Sequence, residues 1–241
     1  SSLNFNGSSD YVNIPNSTDF NLGTSFTMSG WFNFAATKYQ GLISFDTSST
    51  RGWFLYQISN DIKLFDGSSA YTLKSSYTTT NQWDSFIVTY DGADLVFYIN
   101  GAQESTQTVS INLQTNGNDG QIGNNEAGSG RFYSGSISNL AIYNTALTNL
   151  QVATLYNNGV PEASISHSPV SWYKFDNTTT GVQDSKGSNN GTNNGATESI
   201  GLVSTLNGTN NGATEYAGFV NSLVGDSSGM TQANLVQSDL S

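Results

Sequence analysis

The feature that most constrains this chain is its period. From Leu3 to Ile142, short apolar and aromatic runs alternate in steps of two and are separated by clusters of Gly, Asn, Asp and Ser. A two-residue period puts successive side chains on opposite faces of a strand, while the 3.6-residue spacing of a helix is nearly absent here, so the region reads as antiparallel all-β. In "FTMSGWFNF", Phe26, Met28, Gly30, Phe32 and Phe34 share one face and Thr27, Ser29, Trp31 and Asn33 the other, the pattern of a strand lying across a sandwich core. The segment "FIVTYDGADLVFYINGAQES" predicts two consecutive antiparallel strands joined at Asp91-Gly92-Ala93-Asp94. Asn100-Gly101 follows, a pair that tolerates the positive φ of a tight hairpin turn.

One helix is signalled, in "TNLQVATLYNNG". Thr148 can cap it, Gln151 completes a capping box, and Asn158-Gly159 with Pro161 ends it, so it is expected to close a sandwich edge. After Phe175 only Tyr216 and Phe219 supply aromatics, and Gly, Asn, Ser and Thr dominate, too little apolar material for a separate core. Within this tail "GTNNGATES" (191–199) returns as "GTNNGATEY" (208–216), a duplication too short for a solenoid and read as two related loop or edge-strand segments. A length of 241 residues admits one large sandwich or one domain with an appendage.

Charge and cysteine content exclude several functions. Seven Lys and Arg against eighteen Asp and Glu leave a net charge of -11, which repels phosphate backbones and anionic membranes and argues against a nucleic-acid partner. Without cysteine there is no disulfide, thiolate metal site or thiol nucleophile. No stretch approaches the roughly 20 apolar residues of a membrane-spanning helix, and the first residues lack a basic segment followed by an apolar run, so no membrane insertion is expected. The surface is polar through hydroxyls and amides rather than ions.

Catalysis finds little support. Glycoside hydrolysis in the retaining mode needs two carboxylates about 5 Å apart across the scissile bond, and no strand carries such a set. Asp91 and Asp94 flank a glycine turn, which Asp favours for structural reasons, and Glu126 stands alone in a loop. His167, the single histidine, falls in a proline-flanked linker without a nucleophile elbow and reads as a solvated linker residue. Calcium is the most suitable metal for a chain rich in Asp, Asn and backbone oxygens. The loop "NDGQIGNNEAG", with Asp119, Asn124, Asn125 and Glu126, and Asp10 near the first strand offer its candidate ligands, although neither region has a fixed calcium-loop spacing. For a sugar, aromatic faces flanked by amides are available at Tyr39, Trp53, Tyr56, Tyr71, Tyr133 and Asn124.

Three segments together carry a family resemblance over most of Leu3 to Gly159. They are "SLNFNGSSDYVNIP" leading to "FTMSGWFNF", then "QWDSFIVTYDGADLVFYINGAQ", then "IGNNEAGSGRFYSGSISNLAIYNTALTNLQVATLYNNG". In order and spacing the chain resembles the laminin-G-like jelly-roll family of the concanavalin-A-like lectin and glucanase superfamily. The resemblance implies an antiparallel jelly-roll β-sandwich over residues 1–160, with Phe5, Trp31, Phe45, Trp83 and Tyr90 filling or rimming its core, one short helix, and a Gly/Asn/Ser/Thr-rich C-terminal extension over 161–241. Many relatives have acidic residues where this chain has Ser138 and Asn139, which weakens the case for calcium there.

Fold does not give function, since members serve as carbohydrate-binding modules, adhesion domains, pentraxin-like receptors and parts of phage virions. The segment "VSWYKFDNTTTGVQDSKGSNNGTNNGATE" is similar to the one that normally begins such a domain, as in a circular permutation or one register of a tandem array. An unpaired strand 171–175 would be a liability, so Trp172, Tyr173, Lys174 and Phe175 are expected to dock on their own sandwich or a neighbour's. The closing "SSGMTQANLVQSDLS" resembles linkers in structural proteins of marine bacteriophages. The resulting expectation is a non-catalytic structural or adhesive protein of a virion surface or extracellular filament, homo-oligomeric through its extension. The alternative is a calcium-assisted carbohydrate-binding module of a secreted protein that meets cell-surface glycans.

Overall fold

A computed structural model describes residues 1–176 and 182–199. In chain order its strands are β1 (Ser2–Asn6), β2 (Tyr11–Ile14), β3 (Phe26–Phe34), β4 (Gln40–Ser44), β5 (Phe54–Ile58), β6 (Asp61–Phe65), β7 (Ala70–Lys74) and β8 (Trp83–Tyr90). They continue with β9 (Asp94–Ile99), β10 (Ala102–Thr108), β11 (Gly120–Ile122), β12 (Ser134–Tyr143), β13 (Ser171–Tyr173), β14 (Thr192–Asn194) and β15 (Thr197–Ser199). Helix α1 (Asn149–Tyr156) falls between β12 and β13.

The two-residue alternation resolves into two antiparallel sheets packed face to face. The first runs β10-β9-β8-β3-β12-β1-β15, with β13 also on β12, and the second runs β14-β2-β11-β4-β5-β6-β7. Phe26, Met28, Phe32 and Phe34 of β3 face the shared core, which also takes Phe5 of β1, Val12 and Ile14 of β2, Phe45, Trp53, and Phe86 and Val88 of β8. The turns fall where Gly and Asn allow them. Asn100 (φ 51) and Gly101 (φ 77) connect β9 to β10, and Asp91 Oδ1 accepts from the main-chain N–H groups of Ala93 and Asp94 between β8 and β9. Where β7 and β10 border the sandwich, Ser105 and Gln107 of β10 donate to the Leu73 and Thr72 carbonyls of β7, which closes an otherwise open edge.

Helix α1 lies on the outer face of the first sheet, not at an edge. Its Val152 and Leu155 pack with Ile87, Tyr98, Ala141, Tyr143 and Trp172 in a second apolar layer. The capping box forms, with Thr148 accepting from the Gln151 N–H and Gln151 Oε1 accepting from the Thr148 N–H. This cover explains why β3 and β8 are buried on both faces, and why Trp31 stacks on Tyr156, ring centroids 6.0 Å apart, outside the main core.

The C-terminal residues that are described complete the sandwich. Strand β13 pairs with β12 in the same chain, Tyr173 opposite Leu140, on the edge that β1 occupies further along. Strand β14 extends the second sheet beside β2, and β15 extends the first beside β1, with Ser199 opposite Ser2. Tyr173, Phe175, Val182 and Ala196 enter the main core. The first copy of the short duplication thus supplies β14 and β15, while the second, at 208–216, and the closing segment with Tyr216 and Phe219 lie outside the described residues. Among the described residues no helix is long and apolar enough to cross a membrane.

Candidate functional site

The outer face of the second sheet holds an aromatic strip. Strand register aligns Asn13, Gln121, Ser44, Phe54 and Phe65 in one row across β2, β11, β4, β5 and β6. The next row aligns Gly41, Tyr56, Lys63 and Thr72. The period of two puts Phe54 and Tyr56 on this face and turns Trp53 and Leu55 into the core. Ring centroids run from Tyr39 to Tyr56 (5.6 Å), from Tyr56 to Phe54 (4.5 Å) and from Phe54 to Phe65 (5.1 Å).

An arginine covers each end of the strip. The Arg131 guanidinium lies 4.2 Å from the Tyr39 ring centroid and that of Arg51 lies 4.6 Å from Phe65. Arg51 Nε also pairs at 2.9 Å with Asp46 Oδ1, which accepts from the Gly52 N–H at 3.1 Å. Asp46 Oδ2 is buried, and burial pushes the carboxyl above its ordinary range, opposed by the Gly52 amide, the Arg51 charge, the Asn125 amide and the Arg131 charge. Burial, reinforced by Tyr39, raises Tyr56 to about 12, while both arginines act the other way.

The loop from Gly123 to Arg131 crosses this face directly. A Cβ on Gly41 would lie 2.5 Å from the Asn124 carbonyl, so only glycine permits the crossing. Beneath the loop Asn124 Nδ2 donates to Gln121 Oε1 at 2.7 Å, and Gln121 Nε2 donates to Glu126 Oε1 at 2.6 Å. Beside it, Asn13, Thr47, Ser49, Asn118, Asp119 and Glu126 line an open cleft of about 580 Å³. Asp119 accepts from Asn13 Nδ2 and from the Asn16 N–H, so its carboxylate is held in place. Strip and cleft adjoin through Asp46, Thr47 and the bridge from Thr47 to Glu126. Phe54 and Tyr56 are buried within the face and neighbouring rings are tilted by 37 to 44°, so the ring surface open to a ligand is that of the partly exposed Tyr39 and Phe65 at the two ends, where fixed amides and carboxylates stand close enough to bind sugar hydroxyls.

The sequence expectations divide here. Tyr39, Tyr56, Asn124, Asp119 and Glu126 come together on this face, Tyr56 and Asn124 buried within it and so not positioned to touch a ligand. Trp53 and Tyr133 do not, and are corrections: both are fully buried in the core, with Trp53 Nε1 donating to the Phe20 carbonyl at 2.9 Å. Tyr71 points to the core side of β7 and donates to Asp66 Oδ2. The expected calcium set is not assembled. Asp119 and Glu126 share the cleft, but Asn124 sits below Gln121, and Asp10, at the opposite end of β2, holds the turn before it by accepting from the Asn6 N–H. Among the described residues no three His, Cys, Asp or Glu side chains are grouped to hold a metal ion. His167 is also corrected: it is half-buried at φ 65, its Nε2 shielded and unpartnered. Trp172, Tyr173 and Phe175 are core residues, while Lys174 pairs with Asp176.

Arg51, Arg131, Phe54, Phe65 and the Asp46 carboxylate were not anticipated. The alternation in "WFLYQI" could have separated Phe54 and Tyr56 from Trp53, but nothing local shows that two loops bring arginines to this strip.

Comparison with known proteins supports the fold. A Bacteroides ovatus protein inferred to bind carbohydrate superposes with TM-score 0.65 at 21% identity, over 81% of this chain and 58% of its own, so this chain spans little more than half its length. Domain 4 of AbnA, a GH43 extracellular arabinanase of Geobacillus stearothermophilus solved with arabinotriose, gives TM-score 0.52 at 21% identity over 64% and 75% of the two chains. The native heptameric SAP-like pentraxin of Limulus polyphemus gives 0.51 at 19% identity over 64% and 81%. A search of curated protein sequences found no match. A family model matches residues 6–153, and with the two-sheet architecture this places the chain in the concanavalin A-like lectin/glucanases superfamily.

Proposed function

We propose that this chain is a non-catalytic carbohydrate-binding domain that works outside the cell and receives its sugar on the outer face of the second sheet. The observation that carries the reading is the junction of the partly exposed ends of the aromatic strip, Tyr39 and Phe65, with the cleft lined by Asn13, Asp119 and Glu126. Pyranose rings stack through their C–H faces on such rings, and their hydroxyls pair with the amides and carboxylates beside them. Lectin-type neighbours, among them a domain solved with arabinotriose, support the reading. A glycan array with the full chain, repeated with Tyr39→Ala, tests it. Binding lost in the variant is the expected result, and silence across the array would overturn the proposal.

A second reading is a self-assembling surface or virion protein. It is favoured by the way β13, β14 and β15 close both sheets as edge strands, because the same pairing could be made with a second copy. Light scattering on the full chain decides it: a large assembly supports strand donation between copies, and a monomer removes it.

A further inference from the structure

We propose that the sugar recognised by the aromatic strip is anionic, a saccharide carrying a carboxylate or a sulfate, an inference that rests on the carbohydrate-binding reading above. It starts from an imbalance. The chain has a net charge of -11 and two arginines, and both arginines lie on this one strip, one at each end. Lys63 joins them, opposite Tyr56 in the strand register.

The nearby carboxylates pair with two of these cations and, among the described residues, leave the third without an ion pair. Asp46 pairs with Arg51, and Asp61 approaches Lys63 at 3.6 Å. Among the described residues no carboxylate lies within 4.0 Å of the Arg131 guanidinium. With Asp46 on Arg51 and Asp61 beside Lys63, Arg131 is the cation of the strip that an incoming anion can pair with directly.

Arg131 is also held ready. Its Nη1 donates to Asn125 Oδ1 at 3.3 Å and its guanidinium lies over the Tyr39 ring, two contacts that hold a group with five N–H donors; the first is its one side-chain hydrogen bond among the described residues. A planar fork of that kind matches the paired oxygens of a carboxylate or sulfate. Arg51, with half of its side chain exposed, offers the same chemistry at the Phe65 end. The two ends of the face then read different parts of one ligand. The acidic group meets the arginines over the rings, and neutral hydroxyls extend to the cleft, where Asp119 and Glu126 would repel a second anion.

Matched pairs of ligands test this on the full chain by calorimetry: oligogalacturonate against its methyl ester, and a sulfated galactan oligosaccharide against its desulfated form. The anionic member of at least one pair is expected to bind about tenfold more tightly, and to weaken as NaCl rises from about 0.05 to 0.5 M. Arg131→Gln should remove most of that preference and Arg131→Lys restore part of it, with melting curves showing that each variant is folded. If charged and neutral members bind equally, and Tyr39→Ala abolishes both, the anionic inference falls and the carbohydrate reading stands. If no saccharide binds, on the array or here, both fall.

Discussion

The main-chain N–H of Trp172 donates to Asp184 Oδ1 at 2.9 Å, so a carboxylate twelve residues further on pins β13. The same carboxylate accepts from Ser171 Oγ (2.8 Å) and from the N–H groups of Lys186 (3.1 Å), Gly187 (2.9 Å) and Asn189 (3.1 Å). Asp184 is only 7% exposed, so these donors would have no water to turn to if it were removed. Asp184→Ala should therefore cost about 2 to 4 kcal/mol, read as a lower urea midpoint at nearly unchanged slope. A midpoint within error of the parent would show that the loop reorganises freely.

The two aromatics at Trp53 and Tyr39 should separate stability from binding. Trp53→Ala empties a fully buried core position and should destabilise the fold by about 3 to 5 kcal/mol while folded protein keeps its ligand affinity. Tyr39→Ala removes a half-exposed ring at the end of the strip and should change stability by less than about 1 kcal/mol while weakening binding at least about tenfold. Melting curves and titrations on both variants check the pair, and the reverse pattern would move the site off this face.

That contrast marks what local sequence could and could not reveal. Period two in β3, β8 and β9 is a property of adjacent residues, and the turns at Asp91 and Asn100 are set by four residues each, so the sandwich was legible strand by strand. The face of a given aromatic was legible in principle too, because Trp53 and Tyr56 are three apart and must point opposite ways. Helix α1 was located correctly by its capping box, yet its docking on the sheet face depends on Tyr98, Ala141 and Trp172, which are distant in sequence. The same holds for the binding strip: Arg51 and Arg131 are eighty residues apart, and the crossing of the loop over Gly41 brings Arg131 to Tyr39.

Alkaline pH should unfold the protein cooperatively. Burial raises Tyr56 to about 12 and pushes Tyr77, Tyr133, Tyr143 and Tyr173 up as well, the last with help from Asp184. In the unfolded chain these phenols ionise near 10. A folded pKa raised above the unfolded value contributes stability that is complete below about pH 10 and is lost as pH rises through the folded values. Absorbance at the tyrosinate band and circular dichroism should then change together above about pH 11. Full tyrosinate absorbance with an intact fold would contradict the burial.

A chain cut after Val160 should not keep a native sandwich. The cut removes β13 from β12, β14 from β2 and β15 from β1, leaving main-chain groups unpaired in both sheets. It also takes Tyr173, Phe175, Val182 and Ala196 out of the core, and large buried side chains contribute about 1.5 to 3 kcal/mol each, of the order of the whole stability of a domain. The expected result for residues 1–160 is loss of the cooperative melting transition, with aggregation through the opened edges. Because the missing part is held by strand pairing and side-chain packing, a synthetic peptide covering residues 169–199 should restore the transition when added in excess. Recovery in trans would show that one copy can complete another, whereas a truncated chain that melts like the parent would mean that the sandwich is already closed without these strands.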